Sequence, residues 1–319
     1  MENKEEMTIT DHRKLTWSDL SIVGKLALIM LAAALFSALF ALVPVILDVV
    51  RNPGLSIKDI DAIEADPWVA RGMLWAQMIG FVAAVALMFG AFERRRGWKL
   101  GFRLEGCLVR LAEGLGLGFG LITLSFLLIW LCGGVRVVSY DWTPGLLGEL
   151  LGGLLLFAGV ALNEELFSRG YVQGLLSHRF GPLWGIGLST LLFALLHAFN
   201  PGVWASPLPF INLCLAGLLL GLAREVSGSL WMPLGLHLFW NYFQGYVYGF
   251  KVSGLELTTW LRLETGGPAF VSGGAFGAEG SLVTAVVLAA GITLLAARYP
   301  YRRVRPAAGE DAGEKRLFP

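Results

Sequence analysis

The chain has 319 residues, of which 55% are hydrophobic and 15% are charged, whereas about 25% are charged in an ordinary soluble domain. Water cannot be the main solvent for such a surface, so the composition excludes an ordinary soluble protein and indicates an integral membrane protein. The formal net charge of +1 provides no general basic field to attract nucleic acid, so we expect no nucleic-acid partner.

Eight apolar runs follow a polar N-terminal segment, 1–19, and a membrane-spanning helix needs about 20 such residues. No series of alternating strand segments indicates a barrel, which leaves helices as the elements that satisfy the backbone in lipid. We therefore predict an all-α, polytopic membrane helix bundle of about eight helices, surrounded by membrane lipid, in the cell membrane. The runs lie at 20–48, 68–92, 107–132, 145–177, 181–200, 209–224, 229–250 and 280–298.

The distribution of Lys and Arg predicts the orientation of these helices. The basic segments ERRRGWKLGFR and RYPYRRVR follow the second and eighth runs, so eight helices place both on the same side as the N-terminus. Both termini are therefore predicted to be cytoplasmic. The expected organisation is three helices over 20–143, four over 144–250, an external loop and last helix over 251–300, and a disordered tail over 301–319.

Glycines within the runs predict close packing between helices, because a small residue lets two backbones approach. They lie in the third run and as a pair in the sixth: Gly114, Gly116, Gly118, Gly120, Gly217 and Gly221.

Ionisable side chains within three of the runs form a candidate functional site. Each costs roughly 2.5 to 3.5 kcal/mol on insertion scales, so several that converge indicate a function. The fourth run contains NEELFSR, the fifth FALLH and the seventh HLFWN. The candidates are Glu164, Glu165, Arg169, Phe193, His197, His237 and Asn241.

Helical geometry predicts different roles for the two glutamates. Adjacent helix residues point about 100° apart, so Glu164 and Glu165 are not expected to face the same partner. Glu165 and Arg169 are four residues apart, which predicts an ion pair on one face of the helix. Glu164 then faces a cavity, where burial suits it to general-base work. Arg169, His178 and Arg179 lie in the last turns of the run, which are expected to emerge into water or a cavity.

His197 is expected at the height of Glu164. Counted from the turn near 180–182, Glu164 lies about 17 residues before it and His197 about 16 after it, on helices that rise 1.5 Å per residue. A carboxylate and an imidazole can therefore meet. Phe193 precedes His197 by one helical turn and would wall the cavity.

His237 and Asn241 also share a helix face, and their roles stay open between two alternatives. Their N–H groups suit the oxyanion of a tetrahedral intermediate. Alternatively, Glu164, His197 and His237 are three ligands of an open zinc site, which keeps a fourth position for water. The HExxH signature of common zinc peptidases is absent from the sequence.

The sequence favours hydrolysis by an activated water, because no side chain makes a persuasive nucleophile. Ser168 and Ser189 lack a placed base, GxSxG is absent, and no acids in the runs match an aspartyl dyad. Amide hydrolysis by water needs a base, donors to the oxyanion and an acid for the leaving amine. The candidate residues can supply all three.

The motifs EExxxR, FxxxH and HxxxN, in this order on successive apolar runs, resemble the CPBP family of intramembrane endopeptidases. This is the group of CAAX-protease and bacteriocin-processing proteins, also called Abi, and it includes the type II CAAX prenyl endopeptidases. The resemblance covers roughly 145–245 and makes 144–250 a CPBP-like catalytic core. It implies an eight-helix fold whose central cavity opens to the cytosol.

The resemblance also implies site roles and a substrate class. Glu164 and His197 would activate the water, His237 and Asn241 would lie at the oxyanion, and Glu165 with Arg169 would support them. The implied enzyme is a peptidase of glutamate or metallo type, with zinc as the cofactor in the second case. Its substrate would be a membrane-associated peptide or lipid-anchored protein, and prenyl specificity does not follow.

Two other functions are compatible with the same residues. A non-catalytic membrane scaffold or immunity-type protein would use the polar cluster only to hold helices together. A proton-coupled transporter would use buried acids as relays, but the sequence shows no inverted repeat and no helix broken in matched halves.

Overall fold

The computed structural model describes residues 17–52 and 66–298, and they fall into two compact units divided after Arg96. The predicted disordered tail, its basic segment and nearly all of the N-terminal segment 1–19 lie outside these residues.

The first unit contains helix α1, Trp17–Arg51, and helix α2, Pro67–Met88, which continues as a π-helical turn, Phe89–Glu93. Asp66 caps α2 by accepting hydrogen bonds from two backbone N–H groups of its first turn. Lys25 near the start of α1 pairs with Glu93 at the end of α2, with 2.6 Å between Nζ and Oε1. The two helices are therefore antiparallel.

The second unit is built from seven helices that run through the described residues 97–298, together with short helical turns. They are α3, Cys107–Leu131; α4, Leu146–Glu165; α5, Gln173–Phe180; α6, Pro182–Leu196; α7, Pro207–Ser227; α8, Trp231–Tyr242; and α10, Leu282–Arg298. A π-helical segment, Leu166–Val172, joins α4 to α5, and another, Phe243–Val247, extends α8. A short helix α9, Ala269–Ser272, and two 3₁₀ turns, Gly274–Phe276 and Ala278–Gly280, precede α10.

Among residues 17–52 and 66–298, five helical segments are long and apolar enough to cross a membrane, so the chain is a multi-pass membrane protein. They are Ser21–Arg51, Pro67–Glu93, Cys107–Leu131, Leu146–Phe180 and Pro207–Ser227. The fifth and eighth predicted runs form shorter apolar helices, Pro182–Leu196 and Leu282–Ala297, and the seventh is α8 with its π-helical extension. The count of eight spanning helices stays a prediction.

The all-α prediction omitted a pair of strands. Strand β1, Val135–Tyr140, pairs antiparallel with strand β2, Leu261–Thr265, and a β-bulge lies between Val137 and Ser139. Both strands lie in segments that connect helices, outside the predicted membrane runs. The runs themselves are therefore not interrupted by the sheet. More than 100 residues separate the strands in sequence, and a local hydrophobic pattern contains no signal for such pairing.

Glycines on one face of α3 allow close contact with α8. A Cβ added at Gly114 would overlap the Met232 carbonyl, and one added at Gly118 would overlap the Leu236 carbonyl. Gly116 and Gly120 have no atom within 4 Å of the same position. Two of the four predicted packing glycines in this helix therefore make the contact, and they lie one turn apart.

This asymmetry predicts opposite effects of one substitution. Gly118→Ala should lower the free energy of unfolding by about 1 to 3 kcal/mol, because two backbones must separate. Gly116→Ala should raise it by roughly 0.5 to 1 kcal/mol, because alanine is the better helix former. Unfolding of both variants in mixed detergent micelles measures the difference, and equal effects would contradict close packing at Gly118.

Candidate active site

The helix that contains both glutamates changes geometry immediately after them. Helix α4 ends at Glu165, and the π-helical segment Leu166–Val172 includes Arg169. Single π-helical turns inside helices occur frequently at functional sites.

Glu165 and Arg169 form the predicted ion pair. The distance from Arg169 Nη1 to Glu165 Oε1 is 2.9 Å, and neither side chain has any exposed surface. Arg169 Nη2 also donates to the Gly217 carbonyl of α7 at 3.1 Å. The expectation that Arg169 emerges into water or a cavity is therefore wrong, because its charge is compensated inside the protein by a carboxylate and a carbonyl.

His237 contacts both glutamates through different ring nitrogens. Its Nδ1 lies 2.9 Å from Glu165 Oε1, and its Nε2 lies 3.9 Å from Glu164 Oε2. The expectation that adjacent glutamates cannot face one partner is therefore wrong, because an imidazole presents two nitrogens on opposite edges. A carboxylate accepts hydrogen bonds, so Nδ1 donates and Nε2 of the neutral ring presents a lone pair towards Glu164.

His197 caps the C-terminal end of α6 and approaches Glu164 from a second helix. Its Nδ1 lies 2.9 Å from the Phe193 carbonyl, which makes Nδ1 the donor and leaves the Nε2 lone pair free. This Nε2 lies 3.7 Å from Glu164 Oε2. Counting residues from the turn at 180–182 thus predicted the depth of His197 relative to Glu164 correctly.

Two imidazole nitrogens converge on Glu164. Its Oε2 is buried and accepts no hydrogen bond from any described residue, and the Nε2 atoms of His197 and His237 lie 3.7 and 3.9 Å from it. Buried acceptors without a donor are costly. The side chain of Glu164 is 26% exposed, so it is accessible from outside the protein. The arrangement suits a small donor, such as a water molecule.

Phe193 and Asn241 complete the predicted set of site residues. The Phe193 ring lies 4.2 Å from the Arg169 guanidinium carbon, and its centroid lies 4.8 Å from that of His197. Asn241 is buried one helical turn after His237. The structure thus brings six of the seven residues into contact, with Asn241 adjacent on α8.

The segment that contains the candidate site matches a known protein family. Residues 146–243, just under a third of the chain, match the family model described as Type II CAAX prenyl endopeptidase Rce1-like. The segment is Rce1-like. The family predicted from the three motifs is therefore confirmed over these residues, and all seven predicted site residues lie within them. No curated protein and no solved structure matches the chain.

At the level of the family, the Rce1-like match supports an intramembrane CAAX-type endopeptidase, which is a peptidase and therefore a hydrolase. It leaves the choice between a glutamate-type and a metal-dependent subtype as a prediction.

The described residues around Glu164 have the ligand types of a zinc site but not its geometry. Two imidazole nitrogens and a carboxylate oxygen have the right chemistry for three zinc ligands. However, no group of three or more His, Cys, Asp or Glu residues among 17–52 and 66–298 has the geometry of a metal site. The three ligands of the predicted zinc site are therefore not preassembled to hold the ion.

A buried carboxylate outside the Rce1-like segment lies near His197, and the three motifs did not predict it. Glu279 accepts hydrogen bonds from Ser253 and lies within electrostatic range of the His197 ring. Burial raises the pKa of Glu279, and the hydrogen bonds from Ser253 oppose this rise. Glu279 is far from α6 in the sequence and is brought to the end of that helix by the tertiary fold. No rule of residue spacing could therefore have indicated Glu279.

Proposed function

We propose that this chain is an intramembrane endopeptidase that hydrolyses a peptide bond of a membrane-associated protein or peptide through a water activated by Glu164 and His197. The observation that carries the proposal is the convergence of the His197 and His237 Nε2 atoms, at 3.7 and 3.9 Å, on the buried Oε2 of Glu164, which accepts no hydrogen bond from any described residue. The match to the CAAX endopeptidase family supports it.

The proposed reaction begins with a water hydrogen-bonded to Glu164 Oε2 and to His197 Nε2. Glu164 takes one proton as the water oxygen attacks the carbonyl carbon of the substrate, which forms a tetrahedral intermediate. The C–N bond then breaks, and the departing amine receives the proton that Glu164 took. One water is consumed, and the products are a carboxylic acid and an amine.

Asn241 and His237 are proposed to stabilise the oxyanion. The Asn241 amide can donate two N–H hydrogen bonds, and it lies one turn from His237 on α8. His237 can donate from Nε2 only when its ring carries a second proton, because Nδ1 already donates to Glu165. The protonated ring would combine a charge with the donor, which strengthens the hydrogen bond to an oxyanion.

Glu165, Arg169 and Phe193 are proposed as supporting residues. Glu165 fixes the ring of His237 through its Nδ1, and Arg169 compensates the charge of Glu165. Phe193 packs against both the Arg169 guanidinium and the His197 ring. These contacts hold two imidazoles at fixed angles to Glu164, which is the form of preorganisation that hydrolysis needs.

Lipid-anchored and CAAX-type proteins are the first substrate class to test, because the family description names CAAX prenyl endopeptidases. The cavity is proposed to open to the cytosol, with both termini on that side. The basic segment ERRRGWKLGFR after the second apolar run supports this orientation.

The test is cleavage of a peptide library by the full chain in lipid nanodiscs, followed by mass spectrometry. His197→Gln should lower kcat by roughly 10²- to 10⁴-fold, the usual contribution of a general acid–base residue. His178→Gln is the matched control, because His178 is an exposed histidine at the end of α5. Equal activity of these two variants would contradict the proposed role of His197.

A further inference from the structure

Glu279 lies in the second 3₁₀ turn, immediately before α10, and is buried. Its Oε2 accepts two hydrogen bonds from Ser253, from the backbone N–H at 2.7 Å and from the hydroxyl at 3.0 Å. The Asn212 amide of α7 also donates to the backbone carbonyl of Glu279 at 2.7 Å. Both the side chain and the backbone of Glu279 are therefore held.

The segment 251–254 passes between Glu279 and the end of α6, and we call it the strap. Its Ser253 has a φ of 48°, the one positive φ at a non-glycine residue of the described chain. Such a conformation persists only where the surroundings determine it. Gly277 and Gly254 allow the strap to be held closely, because a Cβ at Gly277 would overlap the Lys251 carbonyl and one at Gly254 the Pro201 carbonyl.

Hydrogen bonds continue from the strap to His197. The Asn200 amide donates to the Ser253 carbonyl at 3.2 Å, and the Asn200 backbone N–H donates to the His197 carbonyl at 3.0 Å. A second contact to the strap comes from Gln244, beyond α8, whose amide donates to the Lys251 carbonyl at 2.8 Å. The strap is thus joined to the helix ends that carry His197 and Asn241.

We propose that Glu279 is a positioning residue of the hydrolytic site, which holds the strap and Asn200 against the end of α6 and so fixes the His197 ring relative to Glu164. The inference rests on the proposed function. Its basis is the continuous path of hydrogen bonds from the Glu279 carboxylate through Ser253 and Asn200 to His197. It extends the site into a loop outside the Rce1-like segment.

The proposal is tested by kinetics of Glu279→Ala and Glu279→Gln on the library peptide that the wild-type protein cleaves fastest. Glu279→Ala should lower kcat roughly 10- to 100-fold with KM changed less than about twofold, because His197 acts in the chemical step. Glu279→Gln should restore most of the rate, because its amide oxygen still accepts from Ser253. Ser253→Ala removes one donor and should cause a smaller, severalfold loss.

Glu264→Gln is the matched control, because Glu264 is an exposed acid of strand β2 that pairs with Arg136 at 2.9 Å and not with the strap. It should keep wild-type kcat. Wild-type kcat in Glu279→Ala would overturn the proposal. So would a Glu279→Gln variant as slow as Glu279→Ala, or a loss that vanishes after correction for the folded fraction.

Nitrogen NMR of histidine-labelled protein separates this proposal from the proposed function. The His197 signal, assigned with His197→Gln, should shift in Glu279→Ala at constant pH and remain unchanged in Glu264→Gln. An unshifted signal would overturn the positioning role even if the protein cleaves peptides. If the wild-type protein cleaves no peptide, the proposed peptidase function is wrong. The NMR measurement then still decides whether Glu279 positions His197.

Discussion

Glu164→Gln is expected to lower the cleavage rate by roughly 10²- to 10⁴-fold, the contribution of a positioned general base. Glutamine matches the size of glutamate, but its amide cannot take a proton from water. Its amide would also present either an N–H donor or an uncharged oxygen to the Nε2 atoms of His197 and His237. Either change disturbs the hydrogen bonding of the attacking water. Rates of peptide cleavage, with purified protein in nanodiscs, measure the effect.

Folding and membrane insertion should remain intact in Glu164→Gln, because Glu164 Oε2 has no hydrogen-bond partner among the described residues to lose. Glu149→Gln on the same helix is the control for a charge removed from α4, and it should cleave at the wild-type rate. If Glu164→Gln is active, the water-activation mechanism is wrong. If it unfolds and no variant or wild-type protein cleaves any peptide, the scaffold hypothesis explains the polar cluster better.

Residue spacing predicted contacts that depend on helical geometry. The four-residue interval predicted the pair of Glu165 and Arg169, and counting from the turn at 180–182 brought His197 to Glu164. Both predictions hold because the rise and rotation of a helix change little from protein to protein. The order of the three motifs likewise predicted the family that residues 146–243 match.

Features that depend on tertiary packing escaped prediction. The rule that adjacent helix residues point apart is valid for their Cβ directions, yet Glu164 and Glu165 reach opposite edges of His237 because their side chains are long. The π-helical segment that contains Arg169 has no signature in the sequence. The strap and Glu279 reach the end of α6 through a loop, and no periodic pattern connects them to His197.

Arg169→Leu is expected to lower the free energy of unfolding by about 3 to 5 kcal/mol, because it leaves the buried carboxylate of Glu165 without its cation. It also removes the donor to the Gly217 carbonyl. Arg136→Leu is the control, since Arg136 pairs with Glu264 at 2.9 Å on an exposed part of the sheet. That loss should be under about 1 kcal/mol. Equal losses in the two variants would show that burial adds nothing to the Glu165 pair.

A double variant, Glu165→Leu with Arg169→Leu, separates the stability of the bundle from the orientation of His237. Replacing a buried ion pair by apolar side chains is often nearly neutral, so the double variant should recover much of the stability that Arg169→Leu loses. His237 would still lack the acceptor for its Nδ1 proton, which leaves the ring free to change tautomer or rotate. Cleavage should therefore stay low in a well-folded protein. Recovery of both stability and activity would mean that the pair only holds the helix, and that His237 needs no partner to work.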